Sequence, residues 1–484
     1  MERLFKLSVF VPVLVVSLIT TAFAGGTAGS APATTGSYNV DQSNVKKMMD
    51  RYVNKAYTRG FFNGCILLAQ GDKILYENAM GVADMETGRK LDIGTVCELA
   101  SVSKQFTAEA IMMLHDRGQL SLSDKLEKYF PGTPYKGITI QNLLNHTSGL
   151  PDYSDWVVQK ASERGGIPNN TIMDEFVVKS GTPALFAPNA EWSYCNTGYA
   201  LLARIVEKVT GRSYGEFLEK KIFEPAGMDK TCVYHRHLDG DKIQNYAYGY
   251  VLDNGQYILP DNSKNNNFVI VVDGIEGDGC VNSNVYDLLK WSLALQQYKF
   301  LSQKSQEEMY KPTRYGHGEE CSYGYGWVIG NDVQMGRILT HSGGWPGYST
   351  RIFRYTDKDL TLIYLMNKDP LDAWGRATFE EGLQDIVKGQ TPRPIKTFDE
   401  LVDHNDLDTS KYPAFCGKYE NDNEIILKDG KLYVAGREFG ETEELFPSIE
   451  GGFITEEGCS ITLDGQKMIV SWRSLTPSIY NKLD

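Results

Sequence analysis

Glu98-Leu99-Ala100-Ser101-Val102-Ser103-Lys104-Gln105-Phe106 opens an apolar-periodic run that ends at Gly118. Phe106, Ala110, Met113 and Leu114 recur at helical spacing, which predicts a helix with an apolar stripe turned toward a core. Ser101 and Lys104 then stand at i and i+3 on one face. There the lysine amine can rise beside the serine oxygen and take its proton, provided burial keeps the amine neutral. A serine without such a partner is a poor nucleophile.

Ahead of this run, a helix is expected around Val45 to Ala56. Cys65 to Gln70 and Lys73 to Tyr76 follow, two apolar runs flanking Gly71-Asp72, a pair that tolerates positive φ; together they read as a β-hairpin. Behind it, Ile140 to Leu144 and Tyr199 to Val209 continue a helical middle, the second stripe ending at Gly211. From about His235 to Gly279 the pattern dissolves into Asp, Asn, Gly and Tyr, as long binding loops do. Strands return at Arg337 to Thr340, Ser349 to Tyr355 and Leu360 to Met366, and an amphipathic helix follows from Ala373 to Val387. One sheet therefore takes strands from both ends of a domain whose middle is helical. Gly389-Gln390-Thr391-Pro392-Arg393-Pro394 reads as a linker, and the short alternating runs beyond it, with Asp429-Gly430 and Asp464-Gly465 as turns, read as small hairpins.

The fold class is thus α/β (α+β): an antiparallel sheet flanked by helices, a mostly helical subdomain, and a small all-β C-terminal domain. The boundaries read as an export signal over 1–24, a flexible Gly/Ala/Ser/Thr tether over 25–43, the main domain over 44–388, a linker over 389–398 and a β-barrel-like module over 399–484. The signal rests on Arg3 and Lys6, the apolar Leu7 to Ile19 and the small residues of Ala22-Phe23-Ala24, and it predicts a secreted or periplasmic protein. No later stretch reaches the 18 apolar residues of a membrane helix, so no stable membrane insertion is expected.

Removing 1–24 takes away Arg3, Lys6 and Glu2, and the formal charge of −13 becomes −14. That balance argues against nucleic acid as a partner. The eight cysteines are scattered from 65 to 459 and read mostly as small buried residues. His235 and His237 would share one face of a strand, but no Cys or carboxylate stands at ligand spacing, so neither a metal site nor a cofactor is expected.

S-x-x-K alone carries little, since Ser43-Asn44-Val45-Lys46 matches it too. Two further elements add weight: Tyr194-Cys195-Asn196, five residues ahead of the Tyr199 stripe, and His341-Ser342-Gly343-Gly344, in a strand setting after Ile338. Each has decoys, namely Tyr76-Glu77-Asn78 and Tyr419-Glu420-Asn421 for the first and Lys179-Ser180-Gly181 for the second. The decoys sit mostly in hairpins, whereas the three elements in this order can meet where a sheet edge faces a helical subdomain.

In order and setting, these elements resemble the S-x-x-K, Y-x-N and [KH]-[ST]-G motifs of the class C β-lactamase, D-alanyl-D-alanine carboxypeptidase and esterase superfamily of serine hydrolases. Leu143-Leu144-Asn145-His146-Thr147-Ser148-Gly149-Leu150 and Gly277-Asp278-Gly279-Cys280 ahead of Asp287-Leu288-Leu289 look like that family as well. The resemblance implies that Ser101 attacks a carbonyl and is acylated, and that Lys104 or Tyr194 takes its proton; which of the two is the base stays open. It implies that Asn196 holds Lys104 and meets the substrate amide, that His341 and Ser342 line the pocket, and that Gly343 lets the strand approach closely. The N–H groups of Ser101 and Gly344 are the implied oxyanion donors.

The histidine at 341, where β-lactamases usually carry lysine, removes a permanent cation that would attract a substrate carboxylate. Weak antibiotic hydrolysis is therefore expected, with small ester, amide or D-amino-acid peptide substrates favoured. Tyr153, Trp156, Trp345 and Tyr348 are either pocket walls or core, and His146 reads as a turn residue. Acyl transfer to an alcohol or amine and a non-catalytic penicillin-binding or sensor role are the competing functions.

Overall fold

Near-continuous apolar runs from distant parts of the chain build a central sheet, because strands covered on both faces have no polar face to show. In the computed structural model, which describes residues 41–404, 409–420, 422–436, 439, 442–464, 466–472 and 478–483, its strands are β1 (Gly64–Gln70), β2 (Lys73–Met80), β3 (Val328–Asp332), β4 (Gly336–Trp345), β5 (Tyr348–Tyr355) and β6 (Leu360–Met366). They pair antiparallel in the order β3-β4-β5-β6-β1-β2. The expected hairpin and the three later strands are all present. Every residue of β5 and of β6 is buried. β3 ends opposite Thr340 while β4 runs on to Trp345, so among the described residues the outer edge of β4 carries no β3 partner from His341 onward.

The helical middle packs beside this sheet. Helix α1 (Lys104–Asp116) is buried along its first eleven residues and stops at Gly118, which takes the positive φ that ends a helix at little cost. Helix α2 (Asn196–Thr210) ends at Gly211 in the left-handed conformation, as its sequence predicts. Helix α3 (Val285–Gln296) is capped by the Asn284 side chain, which accepts from the Asp287 N–H. The 235–279 stretch is more ordered than its composition suggests. It holds short helices at Arg236–Asp239 and Phe268–Val272 and a hairpin at Val251–Asp253 and Gln256–Ile258. His235 and His237 do not share a strand face: His237 lies in a helical turn and pairs with Asp261 and Asp273, which hold it charged up to about 9, while His235 Nε2 sits 3.0 Å from Glu276.

By its contacts the chain divides into two compact units, Asn63–Asp369 and, for the described residues, 41–62 with 370–483. In the second unit the helices Gln42–Thr58 and Ala373–Val387 pack together through stacked Tyr52 and Phe379, and Tyr52 donates to the Thr378 carbonyl at 3.0 Å. A sequential antiparallel meander from Gly417–Tyr419 to Ser478–Asn481 follows. It closes on itself where the Leu483 N–H donates to the Lys418 carbonyl at 2.7 Å, giving the expected barrel-like module. The proposed export signal lies outside the described residues, as does the tether except for its last three; Gln42 and Ser43 already belong to a helix capped by Asp41. No disulfide joins any two of the eight cysteines, all of which lie among the described residues. No helix among the described residues is long and apolar enough to cross a membrane.

Candidate active site

Ser101 does not sit in the α-helix proper, as its pattern suggested, but in the 3₁₀ turn Ala100–Ser103 that feeds α1. The cause lies one residue earlier. Ala100 is held at φ 49°, a conformation that costs an alanine energy, so the chain cannot enter the α-helix until after the turn. The turn is held in place by the short pairing of Cys97–Glu98 with Val281–Ser283 and by the Leu99 N–H, which donates to the Val281 carbonyl at 2.9 Å.

Lys104 follows on the same face, fully buried, with Nζ 3.0 Å from Ser101 Oγ, 2.9 Å from Asn196 Oδ1 and 2.8 Å from the Asp278 carbonyl. Asn196 reaches it from the first turn of α2. The Asp278 carbonyl is brought there by Gly277, which holds φ 97° and lies so close to Tyr199 that a β-carbon would fall 2.4 Å from the Tyr199 carbonyl. Thr107 Oγ1 also donates to the Gly277 carbonyl, at 2.6 Å. Desolvation pulls the amine down to about 8, partly opposed by the negative fields of Asp278, Cys195 and Asp152.

Tyr194 completes the group. The Lys104 amine lies 4.9 Å from its ring centroid, and its hydroxyl is hydrogen-bonded to Ser101. Burial pushes the phenol well above its usual value, so it is a neutral hydroxyl at physiological pH. Ser101 and Lys104 from one stretch and Tyr194 and Asn196 from another thus converge.

His341 is buried beside them, its ring centroid 6.3 Å from that of Tyr194. Nδ1 lies 2.7 Å from the Ser342 carbonyl, which only accepts, so Nδ1 carries the hydrogen and Nε2 accepts from Tyr323 Oη at 2.9 Å. Desolvation and the Lys104 charge hold it down to about 3, so the imidazole is neutral. Ser342 is cross-strand from Arg351, on the strand face opposite His341, with its Oγ buried and unpartnered. Gly343 presses on the turn before Ser101: a β-carbon there would lie 2.0 Å from the Leu99 carbonyl and 2.2 Å from Thr350 Oγ1. Gly344 follows it, opposite Ser349.

His146 holds this group from behind. It is fully buried at φ 63°, packs against the Tyr194 ring with centroids 4.3 Å apart and the planes tilted by 38°, and its Nδ1 accepts the N–H of Cys195 at 3.0 Å. Of the four aromatics weighed as walls, Tyr153 and Tyr348 are buried and hydrogen-bonded, to Asp278 Oδ2 at 2.9 Å and to the Ala247 carbonyl at 2.8 Å. Trp156 and Trp345 are half-buried against Phe176 and Phe268. Asp278 and Tyr323 were not picked out as site residues in the sequence. Only the Gly277-Asp278-Gly279 stretch hinted at the first, and no signal marked the second.

A family model described as Beta-lactamase matches residues 43–382. The chain belongs to the beta-lactamase family. This beta-lactamase family member is 42% identical over 392 residues to Penicillin-binding protein 4* of Bacillus subtilis (strain 168), covering 81% of this chain and 84% of that protein. It is 24% identical over 313 residues to a D-aminopeptidase of Brucella anthropi, across 63% of this chain and 56% of that protein. Among solved structures, the octameric penicillin-binding protein homologue from Pyrococcus abyssi superimposes with a TM-score of 0.60 at 23% identity, covering 91% of this chain and all of that one. The D-amino acid amidase from Ochrobactrum anthropi SV3 does so with a TM-score of 0.56 at 22% identity, over 72% and 96%. The beta-lactamase fold and membership of the serine hydrolase superfamily are thereby established for this chain.

Proposed function

We propose that this protein hydrolyses amides and esters through an acyl-enzyme on Ser101, with Lys104 as the general base. One observation carries the reading: two of the three partners of Lys104 Nζ, the Asn196 amide oxygen and the Asp278 carbonyl, can only accept hydrogen bonds. A neutral amine has two hydrogens, and both are committed to these oxygens. Its lone pair is left facing Ser101 Oγ at 3.0 Å. The serine proton passes to Nζ as Oγ bonds to the substrate carbonyl carbon. The N–H groups of Ser101 and Gly344 receive the oxyanion, a contribution of about 10²–10³ in rate per donor. When the tetrahedral adduct collapses, the leaving nitrogen or oxygen takes the proton from Nζ, relayed by the Tyr194 hydroxyl. Water then repeats the sequence on the acyl ester, with Lys104 again accepting the proton, and Ser101 is released.

The names of the relatives, a D-aminopeptidase and a D-amino acid amidase, support amides as the substrate class. The neutral imidazole of His341 supports weak turnover of carboxylate-bearing antibiotics, and the Arg3 to Ala24 pattern supports export. Fluorophosphonate labelling followed by turnover of p-nitrophenyl esters and D- and L-amino-acid p-nitroanilides tests the reading. Ser101→Ala is expected to lose labelling and about 10⁴–10⁶ in kcat. A variant that keeps most of its turnover sinks the proposal, and a folded wild type that neither labels nor turns over any of the panel favours the sensor role.

A further inference from the structure

A cavity of about 140 Å³ opens at the end of β4 opposite Gly344, where the start of β4, the end of β5 and the start of β6 meet α3 and the helix Gln303–Met309. A single water needs only about 10–15 Å³, so there is room for a small organic molecule. None of the lining residues belongs to the group around Ser101.

The buried wall of this cavity carries a guanidinium. Arg354 directs Nε–H at Ser292 Oγ at 3.0 Å, an Nη1–H at Tyr310 Oη at 3.2 Å and an Nη2–H at the Ser292 carbonyl at 3.2 Å, all neutral acceptors. Two of its five N–H groups remain, and among the described residues it makes no ion pair. Glu109, whose carboxyl feels the Arg354 field, touches no hydrogen-bond partner; burial raises it to about 8, so at neutral pH it is mostly protonated and leaves the guanidinium unanswered. Arg337, the other cation of the lining, is spent on Glu307 at 2.5 and 3.2 Å. A buried charge without a counterion favours an anion brought from outside.

The rest of the lining has the opposite character. Gln306 is buried and gives its Nε2–H to the Leu295 carbonyl at 2.7 Å, which leaves Oε1 as an acceptor with no partner. Asp357 and Asp359 are exposed carboxylates. Tyr298 is exposed too, and it holds φ 50° just past the end of α3, where helices commonly place glycine and where a bulky side chain is strained. Strain kept at an exposed aromatic points to a use for the ring, and its face attracts cations. The cavity is therefore positive where it is buried and negative, with an aromatic face, where it is open.

We propose that this cavity binds a small zwitterion, an amino acid whose carboxylate seats on Arg354 and whose ammonium lies between Gln306 Oε1 and the Tyr298 ring. A plain anion would meet Asp357 and Asp359 on entry, and a plain cation would meet Arg354. The site stands whether or not Ser101 forms an acyl-enzyme.

Isothermal titration calorimetry of the full chain with glycine, β-alanine and 4-aminobutyrate, against acetate and ethylamine, tests it. At least one of the three zwitterions is expected to bind saturably and at least about tenfold more tightly than either singly charged compound. Arg354→Gln is expected to weaken that binding by about 10- to 100-fold, the range for hydrogen bonds to a charged group. Tyr298→Gly is expected to weaken it by about two- to fivefold while holding or raising the ligand-free unfolding midpoint, because glycine accepts the left-handed backbone. No saturable heat with any of the zwitterions overturns the site, and so does acetate or ethylamine binding as tightly as the best of them. Unchanged affinity in Arg354→Gln also overturns it, and unchanged affinity in Tyr298→Gly overturns the place given to the ammonium. If Arg354→Gln does not fold, Tyr298→Gly decides alone.

Discussion

Replacing Gly343 by alanine tests how closely strand and nucleophile turn must approach. The new β-carbon would stand 2.0 Å from the Leu99 carbonyl and 2.2 Å from Thr350 Oγ1, and contacts below 3.0 Å are essentially never seen, so something must move by about 1 Å. Neither neighbour can swing aside freely. Leu99 is held by its N–H on the Val281 carbonyl at 2.9 Å, and its own oxygen accepts from the Val102 N–H at 3.2 Å and from Thr350 Oγ1 at 2.7 Å. The displacement therefore falls on the spacing between β4 and the Ala100–Ser103 turn, which carry one proposed oxyanion donor each. Those donors work only within a narrow distance window, and a shift of about 1 Å in a catalytic geometry costs about 10² in rate. Gly343→Ala is expected to lower kcat by about 10²–10³ with little change in KM, and overpacking is expected to cost about 1–3 kcal/mol of stability. Ester hydrolysis, the rate of fluorophosphonate labelling and thermal unfolding followed by circular dichroism measure the three effects. A variant within threefold of the wild-type kcat and with the same unfolding midpoint would refute the argument that this contact sets the oxyanion geometry.

If Lys104 is the base, it must be neutral, so kcat/KM for an uncharged ester should rise with pH through an apparent pKa near 8 and be lost as pH falls below it; a profile that is flat from pH 6.5 to 9 contradicts the assignment. His146→Asn keeps an acceptor near the position of Nδ1 and a side chain that tolerates positive φ, so it should retain kcat within about tenfold, while His146→Leu, lacking both, should lose about 10² or more; equal losses in the two would show that the bond to Cys195 is immaterial. Glu109 is buried with both carboxylate oxygens unpartnered, and desolvation raises it from 4.5 to about 8. Its folded value lies above its unfolded one, so its contribution to stability is complete below pH 4.5 and is lost as pH rises toward 8. Unfolding midpoints should fall over that interval in the wild type and fall less in Glu109→Gln; parallel curves would assign the pH dependence elsewhere.

The sheet was legible because its strands advertise themselves. Leu360 to Met366 is apolar almost throughout, and Gly71-Asp72 fixes the first hairpin locally. The Ser101, Lys104, Tyr194 and Asn196 quartet was legible because these polar side chains stand at motif spacings. What stayed hidden is what depends on main-chain atoms or on burial. No pattern of side chains announces that the Asp278 carbonyl, rather than its carboxylate, will face Lys104, or that the Ser342 carbonyl will fix the tautomer of His341. The turn at Ser101 was misread as an α-helix because apolar periodicity carries no information about the left-handed Ala100 that precedes it. The 235–279 stretch looked structureless because ion pairs between polar residues, such as Arg236 with Asp261, hold it together and leave no apolar period.

For the proposed role of Lys104 as the base, the choice of a carbonyl over a carboxylate at Nζ is decisive. A buried lysine loses its hydration, and that loss alone drives the amine toward the neutral form. Had Asp278 offered its carboxylate to Nζ, the attraction would have worked against that loss and held the amine charged, leaving Ser101 with a donor where it needs an acceptor. The carboxylate is instead turned to Tyr153, near enough to temper the amine's shift and too far to pair with it. Asp278 thus places a dipole on the base and a charge beside it from a single residue.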